Sequence, residues 1–580
     1  MKGLGSCLPA LLRISWVYSP LKDRFCGRYI HPPPSARRPG TVSLARALLL
    51  QAFVYIMRNG MQVPHTDHAT NLGNVPSRDR AWRLAAAVAA AGFVACVLSL
   101  GWTGYTASDD FFYVNAASGW AFHFPYLAQD HWGLRHAVVL PLALAFRWFG
   151  EGEATLAVPS LFYTAALLGL SFWLVRRISG YYSALLVVVL LAGVPTVASG
   201  ASIVVEDAAE ATFILISILT FYYASRGRKI LLYILSGIAA GIGFVTRETT
   251  SALLVVYLIL FVFDYGNFRV GFVWMGIGFV GVVGLDTWLL WWASGDPLYR
   301  FHASLSGVSH DNPALAAHFR TSAGLNRFGS IATSRWLQPL VVLFLNQNFG
   351  LIFWLAIPLS VRVIFRDARS EQRDVLRLLV GFAAVWVIVL GYGFPFLWVV
   401  PRYFTVVAVV LAIPLAIALE RMFRSGHHIL AGILIASLLS SDVLVIGAQN
   451  HDPLFGERAL VMFLRRHPHD TVSTDPGTFQ GAEWLLRING QASRVVVQPP
   501  KPGHIYFFDR PWRGIPAGWP VTAPQPQWVV LKRYVSSHGI VARLSLRLGI
   551  TRLLPAAFAA KLAPPIQVAT AYLVPGASVP

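Results

Sequence analysis

Eleven runs almost free of charged side chains, at residues 84–102, 154–175, 181–205, 208–225, 230–246, 249–263, 270–292, 337–361, 378–397, 403–419 and 429–447, decide what this chain can fold into. A hydrocarbon core about 30 Å thick takes about 20 apolar residues to cross, and in lipid a helix satisfies its own backbone hydrogen bonds. The expected class is an all-α polytopic membrane bundle. A composition of 56% hydrophobic and only 13% charged residues leaves too little polar surface for a soluble chain of this length. The formal charge of +20 would suggest a nucleic-acid partner in a soluble protein. Here the Lys and Arg fall in short loops between apolar runs, where they set topology, so nucleic acid is not an expected partner. Cys7, Cys26 and Cys96 are too few and too scattered for a disulfide framework or a metal cluster.

Arg78, Arg80 and Arg83, then Arg176 and Arg177, Arg226 to Lys229, Arg269, the cluster from Arg362 to Arg377, and Arg421 and Arg424 all fall on one face of an eleven-span bundle. That face is expected to be cytoplasmic, with the N-terminus inside. Residues 136–149 test the count, because about fourteen residues make roughly 21 Å of helix, too short to cross. The segment is therefore expected to lie flat on the outer face; the alternative is a short tilted span, which would invert every later loop. Residues 1–80 read as an N-terminal extension, disordered or preceding the true start at Met57 or Met61, with an interfacial anchor as the alternative. Residues 81–447 form the membrane domain. From 448 to 580 prolines multiply and short strand-like runs alternate with a helical stretch at Phe479 to Ile488, which predicts a small extracytoplasmic α/β domain that covers the site or supports the bundle.

Chemistry concentrates at the outer ends of the spans. Asp109 and Asp110 follow the first run, and an unpaired carboxylate at a membrane boundary stays ionised only where water, a cation or a substrate reaches it. Glu206 and Asp207, with Glu210 one turn on, stand between the third and fourth runs, where Glu206 either joins a site or offsets the dipole of the following helix. Arg135, Arg247 in the turn Thr246-Arg247-Glu248, and Arg402 with Tyr403 gather on the same face. Guanidinium groups beside carboxylates describe a polar cavity able to hold a phosphate. Asp286 is either a cavity-lining or a structural residue, Asn346-Gln347-Asn348 are expected to bond between helices, and the loop holding His302, His310 and His318 lacks metal-ligand spacing.

In order, Asp109-Asp110-Phe-Phe-Tyr113, Arg135 before Trp148-Phe149-Gly150, Asp207, Thr246-Arg247-Glu248, Gly295-Asp296-Pro297-Leu298-Tyr299 and Arg402-Tyr403 follow one family's pattern. The chain resembles the GT-C superfamily of integral-membrane glycosyltransferases, in the branch of protein O-mannosyltransferases and the lipid A aminoarabinose transferase, over residues 80–420. It departs from that pattern in having Asp110 for Glu, Arg247 for Lys and Glu248 for Gly. The resemblance implies transfer of a hexosyl or pentosyl group from a polyprenyl-phosphate donor to an envelope acceptor, whether a lipopolysaccharide, another glycan or a protein, at the outer face of the cytoplasmic membrane. Arg135, Arg247 and Arg402 would hold the phosphate, with Tyr113, Glu206 and Tyr403 also lining the substrate site. Asp109 would act as general base, and Asp110 or Asp207 would orient the acceptor. No cofactor is required, although clustered acids could take a divalent metal. A transporter or flippase of a lipid-linked glycan is the alternative; it should show paired halves with interrupted helices, and no internal repeat is visible.

Overall fold

The computed structural model describes residues 77–309 and 337–575, apart from residues 267, 368–369, 394–398, 450–451, 510–518, 522 and 555. The expectations for the N-terminal extension up to residue 76, and for His310 and His318, lie outside these residues. Helices α1 (Ser77–Leu100), α2 (Asp109–Phe122), α3 (His136–Phe149), α4 (Glu153–Ile178), α5 (Tyr181–Gly193), α6 (Pro195–Gly200), α7 (Asp207–Gly227), α8 (Ile230–Thr246), α9 (Ser251–Val262) and α10 (Arg269–Ser294) come first. They are followed by α11 (Tyr299–Ser309), α12 (Gln338–Leu345), α13 (Ile352–Arg362), α14 (Ser370–Ile388), α15 (Thr405–Arg424) and α16 (His428–Ala448). Seven of the helical segments are long and apolar enough to cross a membrane, and the chain is a multi-pass membrane protein. Large apolar side chains of α10, among them Val273, Ile277, Val280 and Trp288, remain exposed outside the bundle, as expected of a lipid-facing surface.

Every expected run has a helical counterpart, but only seven of the eleven are of spanning length, and two of the others are interrupted. The run 181–205 breaks at Val194-Pro195, because proline supplies no N–H to continue α5. The run 337–361 is corrected more substantially. It divides into α12, which packs against the turn Pro401–Phe404, and α13, which alone continues toward the basic end. The linking turn is set locally: the Asn346 side chain accepts from Asn348 N at 2.9 Å, and Gln347 accepts from Lys561 Nζ at 2.9 Å. These residues cap a turn and meet the C-terminal region, in place of the interhelical bonds expected of them.

Helix α15 runs through the centre, buried at almost every position from Thr405 to Leu419. Helices α8 and α10 approach closely through glycines: a Cβ on Gly237 would stand 1.9 Å from the Met275 carbonyl oxygen, and one on Gly278 would stand 2.3 Å from that of Ile234.

Helix α3 is only 14 residues long and is tied down at both ends. Arg135 at its start joins the outer polar cluster, and just beyond its end Glu153 pairs with Arg458 at 2.8 Å and Glu151 with Arg487 at 3.8 Å, both in the segment that follows the last span. The two ends are thus held by the charge cluster and by the segment that follows the last long apolar helix.

Beyond α16 come α17 (Phe455–Arg466), β1 (Val472–Thr474), α18 (Pro476–Ile488), β2 (Val495–Val497), β3 (Ile505–Phe508), β4 (Val529–Val535), α19 (Ile540–Arg547), α20 (Ile550–Leu553), α21 (Ala556–Leu562) and β5 (Val568–Leu573). The sheet order is β2-β1-β3-β5-β4, parallel among the first three strands and antiparallel thereafter. This small α/β unit shares one apolar cluster with α2 and α3, in which Trp484 packs on Tyr105 with ring centroids 4.7 Å apart.

Candidate active site

The segments that position the site all end at the same level of the bundle. Helix α8 stops at Thr246, Arg247 is extended (φ −158°), and a single 3₁₀ turn at Glu248–Thr250 leads into α9. This geometry turns the Arg247 side chain back toward the start of α7. Arg247 Nη1 donates to Asp207 Oδ1 at 2.7 Å and to Glu210 Oε2 at 3.0 Å, while Nη2 donates to Glu206 Oε1. Thr249 and Thr250 donate to Glu210 Oε1 at 2.6 and 3.1 Å. Arg135 Nη1 reaches Glu206 Oε1 at 2.8 Å and also meets the Tyr113 hydroxyl, which donates to Glu206 Oε2 at 2.7 Å. Glu206 makes no capping bond to the helix it precedes; it bridges two arginines and a tyrosine. Arg135, Arg247, Glu206, Asp207 and Glu210 are all buried. Buried carboxylates at this density persist because the guanidinium forks supply both charge and donors.

The pair Arg402–Asp109, at 2.5 Å, is more open than this cluster: 35% of the arginine side chain and 23% of the aspartate side chain remain accessible. Tyr403, in the same 3₁₀ turn as Arg402, places its ring 5.1 Å below the Arg247 guanidinium. Asp110 points the other way. It is buried and accepts from Thr106 N at 2.6 Å, Ser108 N at 2.7 Å and Thr106 Oγ1 at 3.0 Å, fixing the loop that enters α2. Burial pushes its carboxyl up to about 6, against the opposing effect of these hydrogen bonds. Of the two adjacent acids, only Asp109 meets a cation of the site.

Five further residues belong here. Arg300, directly after the Gly295-to-Tyr299 motif, donates to Asp286 Oδ2 at 3.0 Å, Glu248 Oε1 at 3.2 Å and the Leu134 carbonyl at 2.5 Å. Asp286 Oδ1 lies 2.6 Å from His136 Nδ1, so this acid both lines the site and joins α10 to α3. Gly295 ends α10 in the left-handed region (φ +74°), where a side chain is disfavoured, and the Tyr299 hydroxyl then donates to Ala128 O at 2.9 Å. His131, its ring tilted against Trp132 with centroids 3.8 Å apart, is lowered to about 4 by burial and then by Arg135. Reading the sequence passed over Arg300 and His131; the signals were their positions immediately after one quoted motif and four residues before Arg135. Among the described residues, no group of three or more His, Cys, Asp or Glu is placed to hold a metal ion.

The protein is thus a multi-pass helical bundle with a buried charge cluster and an attached α/β unit. A model of the dolichyl-phosphate-mannose-protein mannosyltransferase family matches residues 136–291. ArnT from Cupriavidus metallidurans bound to undecaprenyl phosphate superposes with a TM-score of 0.51 at 12% identity, covering 85% of this chain and 98% of that one. In its apo state the same protein gives 0.51 at 14% identity, with 79% and 97% covered. The oligosaccharyltransferase AglB from Archaeoglobus fulgidus gives 0.46 at 13% identity over 73% of this chain, and the match spans only 65% of the archaeal chain. No curated protein sequence matches the chain significantly. The chain shares the fold of ArnT, and its match to the mannosyltransferase family model is confined to residues 136–291.

Proposed function

We propose that this protein transfers a sugar, hexosyl or pentosyl, from a polyprenyl-phosphate donor to a glycan, lipid or protein acceptor of the cell envelope. The reaction takes place at the outer face of the cytoplasmic membrane, with the N-terminus inside and the C-terminal α/β unit outside. The observation that carries the reading is the accessible Arg402–Asp109 pair beside a buried cluster of paired acids and arginines. Arg402 holds the donor phosphate, and Asp109 takes the proton of the acceptor hydroxyl as its oxygen attacks the anomeric carbon. The bond from that carbon to the phosphate oxygen breaks, the lipid phosphate leaves with one more negative charge, and the sugar inverts.

Arg135 and Arg247 then act one layer down, keeping the floor of the site positive and rigid while their acids hold them in place. Asp110 and Tyr113 shape the loop and helix that present Asp109. An apolar groove of about 430 Å³ on α10, lined by Val280, Val283, Trp288 and Trp291 and ending at Pro297, offers the donor's hydrocarbon a path to the loop that carries Arg300.

Membranes containing the wild type or Asp109→Asn at matched expression, supplied with radiolabelled polyprenyl-phosphate sugars and envelope extract, test the proposal. Transfer by the wild type that the substitution abolishes supports it. Equal transfer by both removes Asp109 from the chemistry, and transfer by neither across a broad donor panel favours transport.

A further inference from the structure

The last stretch of the chain holds a surface that sugar transfer does not use. From Arg510 to Pro580 there are eight Lys and Arg and not one Asp or Glu. Within it, α19 is seated on the end of the last span: its Val541 side chain lies where a Cβ on Gly447 would be, at 2.1 Å. Ala542 and Ser545 face the protein and are buried. Leu544 and Leu548, one turn apart, are 51% and 71% exposed, and Leu553 of α20 is 84% exposed. Arg543, Arg547 and Arg552 border these leucines, and among the described residues none of the three meets a carboxylate. Lys561 of α21 returns to the bundle at Gln347, so both ends of the segment are tied to the level at which the spans emerge.

We infer that residues 540–554 lie in the interfacial zone of the bilayer and bind its anionic lipids. Leucines at this height would otherwise stand in water beside the hydrocarbon boundary, whereas in the interface they enter the acyl region while arginines on long stems reach the phosphates. Attachment to the end of α16 makes the surface continuous with the lipid-facing bundle, and the absence of acids makes its charge complementary to anionic headgroups. The function served is orientation of the α/β unit over the membrane. This does not depend on which sugar, if any, is transferred.

The test uses the full chain with Cys7, Cys26 and Cys96 replaced by Ser, carrying Leu553→Cys or, as control, Val497→Cys on the far sheet edge. Each is labelled with an environment-sensitive fluorophore and reconstituted in nanodiscs of phosphatidylcholine with or without phosphatidylglycerol. The expected result is strong quenching of the label at 553 by nitroxide lipids and protection from iodide, with the reverse at 497. Replacing Arg543, Arg547 and Arg552 together by Gln should lower lipid quenching at least about threefold, in anionic discs only. Leu548→Cys repeats the measurement should Leu553→Cys fold poorly. Iodide quenching at 553 equal to that at 497 overturns the inference. Protection from both quenchers also overturns it, since a protein would then cover the surface, as does lipid quenching indifferent to phosphatidylglycerol and to the arginines.

Discussion

Two arginines of the cluster differ in burial, and that difference predicts opposite phenotypes for the same substitution. Arg402 keeps 35% of its side chain accessible and pairs with one partly exposed acid. Exposed pairs contribute about 0–1 kcal/mol to stability, so Arg402→Ala should leave the unfolding midpoint almost unchanged. If Arg402 holds the departing phosphate, its loss removes a charged donor aimed at developing charge, worth about 3–4 kcal/mol or roughly 10²–10³ in rate. Arg247 is 2% accessible and bonds three carboxylates, two of which are wholly inaccessible. Arg247→Ala leaves those acids buried without their cation, a loss of about 3–5 kcal/mol, and should lower the midpoint sharply before activity can be assayed. Size-exclusion chromatography after graded heating reads stability, and radiolabelled sugar transfer in proteoliposomes reads rate. Arg402→Lys keeps the charge without the planar fork and should recover part of the activity. A phosphate-holding role for Arg402 is refuted if Arg402→Ala transfers sugar within about threefold of wild type, less than about 1 kcal/mol of transition-state loss, or if both alanine variants unfold alike.

Further outcomes follow from other sites. Arg300→Ala should raise the KM for acceptor more than it lowers kcat, because Arg300 fixes the start of α11 against α10 and the Leu134 carbonyl; steady-state kinetics at saturating donor separates the two. Glu457 is pushed up to about 8 by burial, from 4.5 when exposed, so the folded state holds a proton that the unfolded chain releases. Stability should therefore fall as pH rises through that window, and Glu457→Gln should flatten the fall, measured as thermal midpoints on its acid and alkaline sides. Gly237→Ala places a methyl group against the Met275 carbonyl and should cost about 1–3 kcal/mol by forcing α8 and α10 apart; an unchanged midpoint would contradict the close packing.

Much of the fold was legible because lipid imposes a length and a polarity on every crossing segment, and the basic loops alternate with it. The helix at residues 136–149 was legible too, with the bounds its apolar run gave it. What stayed hidden was set by direction and long-range pairing. Asp109 and Asp110 are adjacent and chemically alike, yet consecutive residues of a helix point about 100° apart, so one meets Arg402 and the other the backbone of Thr106 and Ser108. Arg247 reads as a phosphate ligand in sequence; only the turn at residues 247–250 shows that its two Nη atoms face Glu206, Asp207 and Glu210. The run 337–361 has a spanning length and polarity, and its division rests on a turn that Asn346 closes and Lys561 holds from more than two hundred residues away.

Helix α3 begins in the charge cluster and ends in ion pairs with the α/β unit. A chain cut after Ala448 would retain every span and every quoted motif, and would still lose the two arginines that hold the far end of that helix. Transplanting the C-terminal unit between related chains should therefore disturb the seating of Arg135, so the unit of inheritance for this site extends past the membrane.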